Sequence, residues 1–333
     1  MKENYSAWNI NISEYGKLSN VAQKTEFIAR YGVLAPSSHN SQPWNIRVSG
    51  DKTILVSPDY SRALPVADSN NRQFTESLGC CVQYVILAAE ALGIKTHLVF
   101  DPKTLVSTIS LDFNQSQDIN KTLLEALISR HTNRYDYIDK KLPDDFLEWA
   151  KSLSTESLSV KLVLGKQLIA EFGRLAVLSE IEAMESKSFR EELSHYIKSN
   201  YTNSYFGMPG FGMGLPGIVS LFVPFLIRKK NLAKLNEKND LKKFVGNTSA
   251  FLIISSNNDT PDDWFKVGRL FTKIAVEATR LGIVTNPAAA TIQIGNNYKT
   301  IQNLLRMSQR PQFFCRIGFA NKNMPHSPRR PIH

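Results

Sequence analysis

Two sixteen-residue stretches constrain this chain more than anything else in it. Gly79-Cys-Cys-Val-Gln-Tyr-Val-Ile-Leu-Ala-Ala-Glu-Ala-Leu-Gly-Ile94 and Gly268-Arg-Leu-Phe-Thr-Lys-Ile-Ala-Val-Glu-Ala-Thr-Arg-Leu-Gly-Ile283 align without a gap, and both end Leu-Gly-Ile. In the first, Leu78, Cys81, Val82, Val85, Ile86 and Ala89 follow the i, i+3, i+4, i+7 spacing of one helix face. In the second, Val267, Leu270, Phe271, Ile274, Ala275 and Ala278 take the equivalent places. Gly93 and Gly282 stand where a helix C-terminus calls for a residue at ease with positive φ. One apolar stripe is simply how a helix faces a core. Two stripes with glycines at matching positions point to one helix used twice.

Strand signals surround both helices. Residues 45–48, 53–57, 97–100 and 105–111 read as strands in the first half, and 160–164, 249–255 and 313–317 in the second. The pattern is α+β, divided into a first repeat over 1–125 and a second over 126–333. A length of 333 residues allows one large core or two moderate ones.

The formal charge of +10 raises the question of a polyanionic partner. The basic residues are scattered, without one long run interleaved with aromatics, so a small phosphorylated ligand is expected and nucleic acid is not. Cys80, Cys81 and Cys315 cannot build a symmetric disulfide framework, and no Cys/His group has zinc-site spacing, so no metal is expected. Residues 1–11 contain no apolar core of signal-peptide length, which leads to the expectation of a cytoplasmic protein.

Chemistry gathers in a few places. Ala35-Pro-Ser-Ser-His-Asn-Ser-Gln-Pro-Trp44 packs two φ-fixing prolines with Ser37, Asn40 and Gln42, whose hydroxyl and amide groups suit the polar edge of a planar heterocycle such as a flavin. Arg130-His-Thr-Asn-Arg134 sets two guanidinium groups four residues apart, a spacing that predicts one helical face. Arginine grips phosphate bidentately where lysine does not. Thr132 adds a hydroxyl, and Ser327-Pro-Arg-Arg-Pro331 brings Arg329 and Arg330.

The Ala-Pro-Ser-x-x-Asn-x-Gln-Pro-Trp turn and the Arg-x-x-x-Arg pair together resemble the FMN-dependent nitroreductases. From about Thr25 to Pro331 the chain is similar to the fused, single-chain Acg-type members. The resemblance implies a nitroreductase-like fold in which each repeat is a mixed or antiparallel sheet flanked by helices, the two forming an intramolecular pseudo-dimer within a monomer. The first half has the turn without the arginine pair. The second has the pair, but its matching stretch around Leu142 to Ser152 has no turn. The implied outcome is one FMN site assembled from both halves. Its implied contacts are Ser37, Asn40, Gln42, Arg130, Thr132, Arg134, Arg329 and Arg330, together with Pro287 and Ala288 from the small-residue stretch Thr285 to Ala290. Arg316 is a weaker candidate.

The implied activity passes electrons from NAD(P)H through FMN to a nitroaromatic or quinone-like acceptor. The hard chemistry belongs to the cofactor, so no protein acid or base is required and neither His39 nor His131 is expected to be catalytic. The same resemblance leaves open an Acg-type storage protein that sequesters FMN with little turnover.

Tyr205 to Arg228 is the longest apolar, Gly/Pro-rich segment. Its Gly212-Met-Gly-Leu-Pro-Gly217 fits Gly-x-Gly-x-x-Gly. No strand is expected before it, however, Pro216 interrupts it, and Lys229 to Asp240 after it is polar, which speaks against a dinucleotide fold. Pro216, Pro224 and five glycines argue against a transmembrane span. A lid placing Met208, Phe211 and Met213 over the flavin is the preferred expectation. A buried core loop and a membrane-surface anchor edged by Arg228 to Lys230 are the other readings.

Overall fold

The computed structural model describes residues 2–114 and 118–332. The first half runs α1 (Val21–Gly32), β1 (Trp44–Ser49), β2 (Thr53–Pro58), α2 (Arg72–Ala91), β3 (Lys95–Asp101), β4 (Val106–Asp112) and α3 (Lys121–Ser129). The second half begins with β5 (Tyr137–Ile138), α4 (Asp144–Ser152), β6 (Leu158–Val163), α5 (Lys166–Glu185), α6 (Lys187–Tyr196), β7 (Ile197–Lys198), β8 (Met208–Pro209), α7 (Gly217–Lys229) and α8 (Leu232–Val245). The last elements are β9 (Ala250–Ser256), α9 (Pro261–Arg280), β10 (Val284–Pro287), α10 (Ala290–Gln293), α11 (Asn297–Leu305) and β11 (Arg310–Ala320).

Each half contributes an antiparallel sheet. The first is ordered β1-β2-β4-β3, and the second β10-β11-β9-β6 with β5 added on β11. All seven expected strands form, shifted at their ends by up to three residues. Helix α2 packs on the first sheet, α9 on the second, and the two helices pack on each other, so one continuous core joins the halves. The boundary expected at 125/126 falls inside α3, and the chain leaves helical geometry only at Arg130.

The repeated helices are the centre of the molecule. A Cβ added at Gly79 would lie 2.2 Å from the Phe265 carbonyl oxygen, and one at Gly268 only 1.9 Å from that of Glu76. Both glycines are therefore crossing points where two backbones touch. The sequence marks a single apolar stripe on α2, yet α2 buries every residue except Glu90. That stripe is corrected to burial on all sides, because α2 is covered by its sheet, by α1, by α3 and by α9. Gly93 and Gly282 do stand just past the two helices, at φ of 75° and 71°.

Candidate functional site

The turn after α1 is held in an unusual conformation. His39, Asn40 and Gln42 all adopt positive φ, at 51°, 54° and 54°. A non-glycine side chain in that region costs about 1 kcal/mol or more, so surrounding contacts must hold the turn. They are present. Asn40 Nδ2 donates to the carbonyls of Gly207 and Pro328, each at 2.9 Å, and its Oδ1 accepts from Arg329 Nη1 at 2.5 Å. Gln42 Nε2 donates to the Tyr205 carbonyl at 2.7 Å, and its Oε1 accepts from the Arg330 backbone N–H at 2.9 Å. Arg330 Nη2 completes the clasp on the carbonyls of Gln42 and Trp44. The amides that the sequence offered to a heterocycle are committed to binding three distant segments together.

Beside this turn lies a cavity of about 50 Å³ lined by Ser37, Asn40, Arg130, Thr132, Arg134 and Arg329, with Trp8, Pro36, His131, Met208, Pro325, His326 and Ser327 closing it. Six of the ten expected contact residues thus share one cavity. Gln42 and Arg330 stand behind it as backbone ties. Pro287 ends β10, paired with Cys315 on β11, and the Ala288 N–H donates to the Phe314 carbonyl within the second core. Neither lines the cavity. Arg316 is also elsewhere, 1% exposed and stacked 3.5 Å over the Tyr137 ring, with its Nε on Thr248 Oγ1.

The arginine pair reaches the cavity by a different route from the expected one. The expectation that Arg130 and Arg134 share a helical face is corrected: α3 ends at Ser129, Arg130 has extended backbone angles, and Thr132 forms a bridge with Thr285. Arg130, Thr132 and Arg134 reach the cavity from this non-helical stretch, and His131 between them lines it as well.

The electrostatics of this cluster are unusual. Arg130 is 2% and Arg329 4% exposed, and Arg134 is half-buried. Among the described residues none of the three forms an ion pair with a carboxylate. Arg130 Nε donates to the Tyr84 hydroxyl, but its Nη1 and the Arg329 Nε are buried without a partner. Burial, reinforced by the Arg130 charge, holds Arg329 down to about 9. Burial likewise lowers Arg134, opposed by the charge of Glu180. Uncompensated buried cations such as Arg130 and Arg329 are costly, so this donor set fits a small anion with several oxygens, such as a phosphate.

The histidines are neutral here. His131 Nδ1 lies 2.9 Å from the Ser129 carbonyl, and its Nε2 accepts from the Met324 N–H at 3.3 Å, which fixes the proton on Nδ1. His326 stacks on Trp8 at 3.8 Å and is driven down to about 3 by burial, then by His131 and the nearby arginines. His39 is lowered to about 4 by burial and Arg134, packed against Tyr196.

The Gly/Pro-rich segment divides in two. Met208 lines the cavity, and the Gly212 carbonyl and Met208 Sδ lie 3.5 Å from Arg134. Phe211 and Met213, expected over the ring, do not line the cavity: the Phe211 backbone N–H is tied to Asn200 Oδ1, and Met213 joins a small outer core. A two-residue strand, β8, does precede the Gly-x-Gly-x-x-Gly string, but α8 follows where a dinucleotide fold needs a strand. Sequence reasoning missed Trp8, His326 and Pro325. Their one signal was the indole in a polar N-terminal stretch and a histidine set among prolines.

No protein-family model matches the chain. It is 22% identical over 308 residues, covering 90% of both chains, to the Mycobacterium tuberculosis H37Rv protein acg, whose name proposes an NAD(P)H nitroreductase. A second M. tuberculosis protein with the same proposed name is 23% identical over 321 residues, covering 93% of this chain and 90% of the relative. Among solved structures, the FMN-dependent nitroreductase NfnB of Mycobacterium smegmatis, crystallised with NADPH, superposes with a TM-score of 0.41 at 13% identity, covering 63% of this chain and 96% of that one. Both M. tuberculosis relatives align with about nine tenths of the chain or more, so its likeness to the Acg-type, nitroreductase-like proteins extends over nearly its whole length.

Proposed function

We propose that this Acg-type chain binds one FMN and uses it to oxidise NAD(P)H, passing the electrons to an electron-poor acceptor such as a nitroaromatic or quinone. The observation that carries the reading is the pair of buried guanidinium groups of Arg130 and Arg329, which form no ion pair among the described residues, with Arg134 lining the same cavity. These groups and the Thr132 hydroxyl would hold the FMN phosphate, with Ser37 and Asn40 at the cavity edge. FMN, once bound, supplies hydride and electron transfer. The protein's own contribution is to neutralise the phosphate, exclude water with Trp8 and Met208, and keep His131 and His326 uncharged beside the cationic cluster.

A second reading, FMN sequestration with slow turnover, is favoured by the closure of the cavity. About 50 Å³ is well below the ~300–1,000 Å³ of sites that hold drug-sized ligands. Asn40 and Gln42 pin the Gly207 and Tyr205 carbonyls beside it, which holds the adjoining Met208 in its lining. A flavin ring therefore needs this cover to move.

One experiment addresses both readings. FMN and riboflavin are titrated into flavin-free protein by fluorescence, and the FMN-loaded protein is then mixed anaerobically with NADH or NADPH. FMN binding at least ~10²-fold tighter than riboflavin supports the phosphate site, at about 1.5–3 kcal/mol per charge-assisted hydrogen bond. Bleaching by nicotinamide within seconds supports the oxidoreductase, whereas a stable yellow complex supports sequestration. Equal affinity for the two flavins, or none, overturns the proposal.

A further inference from the structure

Helix α7, Gly217-Ile-Val-Ser-Leu-Phe-Val-Pro-Phe-Leu-Ile-Arg-Lys229, is apolar over its first eleven residues save Ser220, yet it buries only Ser220, Val223 and Ile227. Val223 and Ile227 face Met184 and Ile197 in the outer core. Its opposite side is open: Ile218 is 73% exposed, Leu221 53%, Phe222 60% and Phe225 62%. Scattered single apolar residues on a surface are ordinary, but four large ones at i, i+3, i+4 and i+7 make a contiguous stripe.

The surroundings of the stripe say what covers it. Between residues 201 and 236 there is no Asp or Glu, while Arg228, Lys229, Lys230 and Lys234 supply four cations. Lys229 and Lys230 are exposed and form no ion pair among the described residues. A second copy of the chain seated on the stripe brings another cationic rim against this one. An anionic bilayer brings the opposite charge along with an apolar interior. Helix length decides the mode of contact: thirteen residues span about 20 Å at 1.5 Å per residue, short of the ~30 Å hydrocarbon core. No helix among the described residues is long and apolar enough to cross a membrane.

We propose that α7 is a membrane-docking helix. It lies in the plane of an anionic lipid surface with Ile218, Leu221, Phe222 and Phe225 inserted among the acyl chains and Arg228 to Lys230 and Lys234 on the headgroups. This is independent of the flavin reading, since none of these residues lines the cavity.

The test is co-sedimentation of the full chain with vesicles of phosphatidylglycerol and phosphatidylcholine mixed 1:1 by design, against pure phosphatidylcholine, at low and high salt. The wild type is compared with Phe222→Glu/Phe225→Glu and with Lys229→Glu/Lys230→Glu, their folding checked by circular dichroism and thermal melting. The expected result is binding to the anionic vesicles that weakens at least ~10-fold in either variant and in high salt, with Tm unchanged because the substituted side chains are exposed. No binding to anionic vesicles at low salt overturns the proposal. So does binding that the phenylalanine variant leaves intact, which would assign it to the general positive charge. A wild-type dimer in solution that the phenylalanine variant converts to monomer, with no vesicle binding by either, assigns the stripe to self-association and also overturns it.

Discussion

Arg130→Met separates a ligand-binding cation from a structural one. An arginine that supports the fold through a buried ion pair leaves an uncompensated charge when removed, at about 3–5 kcal/mol. Arg130 has no such partner. Its removal forfeits one hydrogen bond to Tyr84, about 1 kcal/mol, while methionine keeps most of the packing of the aliphatic stem. Against that loss stands the relief of Arg329. Burial, and after it the Arg130 charge, holds Arg329 well below the usual arginine range, so removing Arg130 eases Arg329 and offsets, on the order of 1 kcal/mol, the lost bond. The flavin-free variant should therefore unfold within ~1 kcal/mol of wild type in urea, while FMN affinity falls by ~3 kcal/mol, roughly a hundredfold. Urea melts of the flavin-free proteins and a fluorescence titration with FMN measure both. A flavin-free variant destabilised by 3 kcal/mol or more, or one that binds FMN like the wild type, refutes the argument that this cation is held for a ligand.

Other expectations follow from the same geometry. Gly268→Ala puts a methyl 1.9 Å from the Glu76 carbonyl oxygen and should cost ~3 kcal/mol or more by denaturant melt, a value below 1 showing that the helices can part. Gln42→Ala removes the ties to Tyr205 and Arg330, so FMN should dissociate several-fold faster in stopped-flow while equilibrium stability drops by ~1–3 kcal/mol; an unchanged off-rate means that the cover does not gate release. His39 and His326 should hold constant ring-proton NMR shifts from pH 8 to 5, being neutral down to about 4 and about 3. Their folded values lie below the unfolded 6.5, so the folded protein binds fewer protons. Each ring's contribution to stability is present above 6.5 and is lost as pH falls from there toward the folded value, at up to ~1.4 kcal/mol per pH unit. A midpoint near 6.5 for either ring contradicts the packing described for it.

Much of the framework was legible because it rests on periodicity. The repeated helices and seven strands follow from apolar spacing, and matched glycines marked the helix pair that became the centre. The conformation of Arg130 to Arg134 was not legible for a specific reason. A separation of four residues is close to one helical turn and equal to two strand repeats, so the same spacing puts both arginines on one side in either geometry. Residue identity could name the polar atoms of Asn40 and Gln42 but not their partners, which come from residues 205, 207, 328 and 330. Trp8 and His326 carry no periodic signal at all. Trp8 ends a single short 3-10 helix and His326 lies in irregular chain, so the position of each is set by what it meets.

The long reach of these contacts bears on when the site comes into being. Trp8 Nε1 donates to the Ser327 carbonyl across 319 residues of sequence, and Arg329 to Asn40 across 289. Pairings that distant carry a large loop-closure entropy until the intervening chain has folded, and such contacts form late. Both sheets and the α2/α9 pair can assemble before any phosphate-binding pocket exists. The pocket thus acts as a completeness check: a chain truncated before residue 329 keeps most of its core and lacks the residue that fixes Asn40.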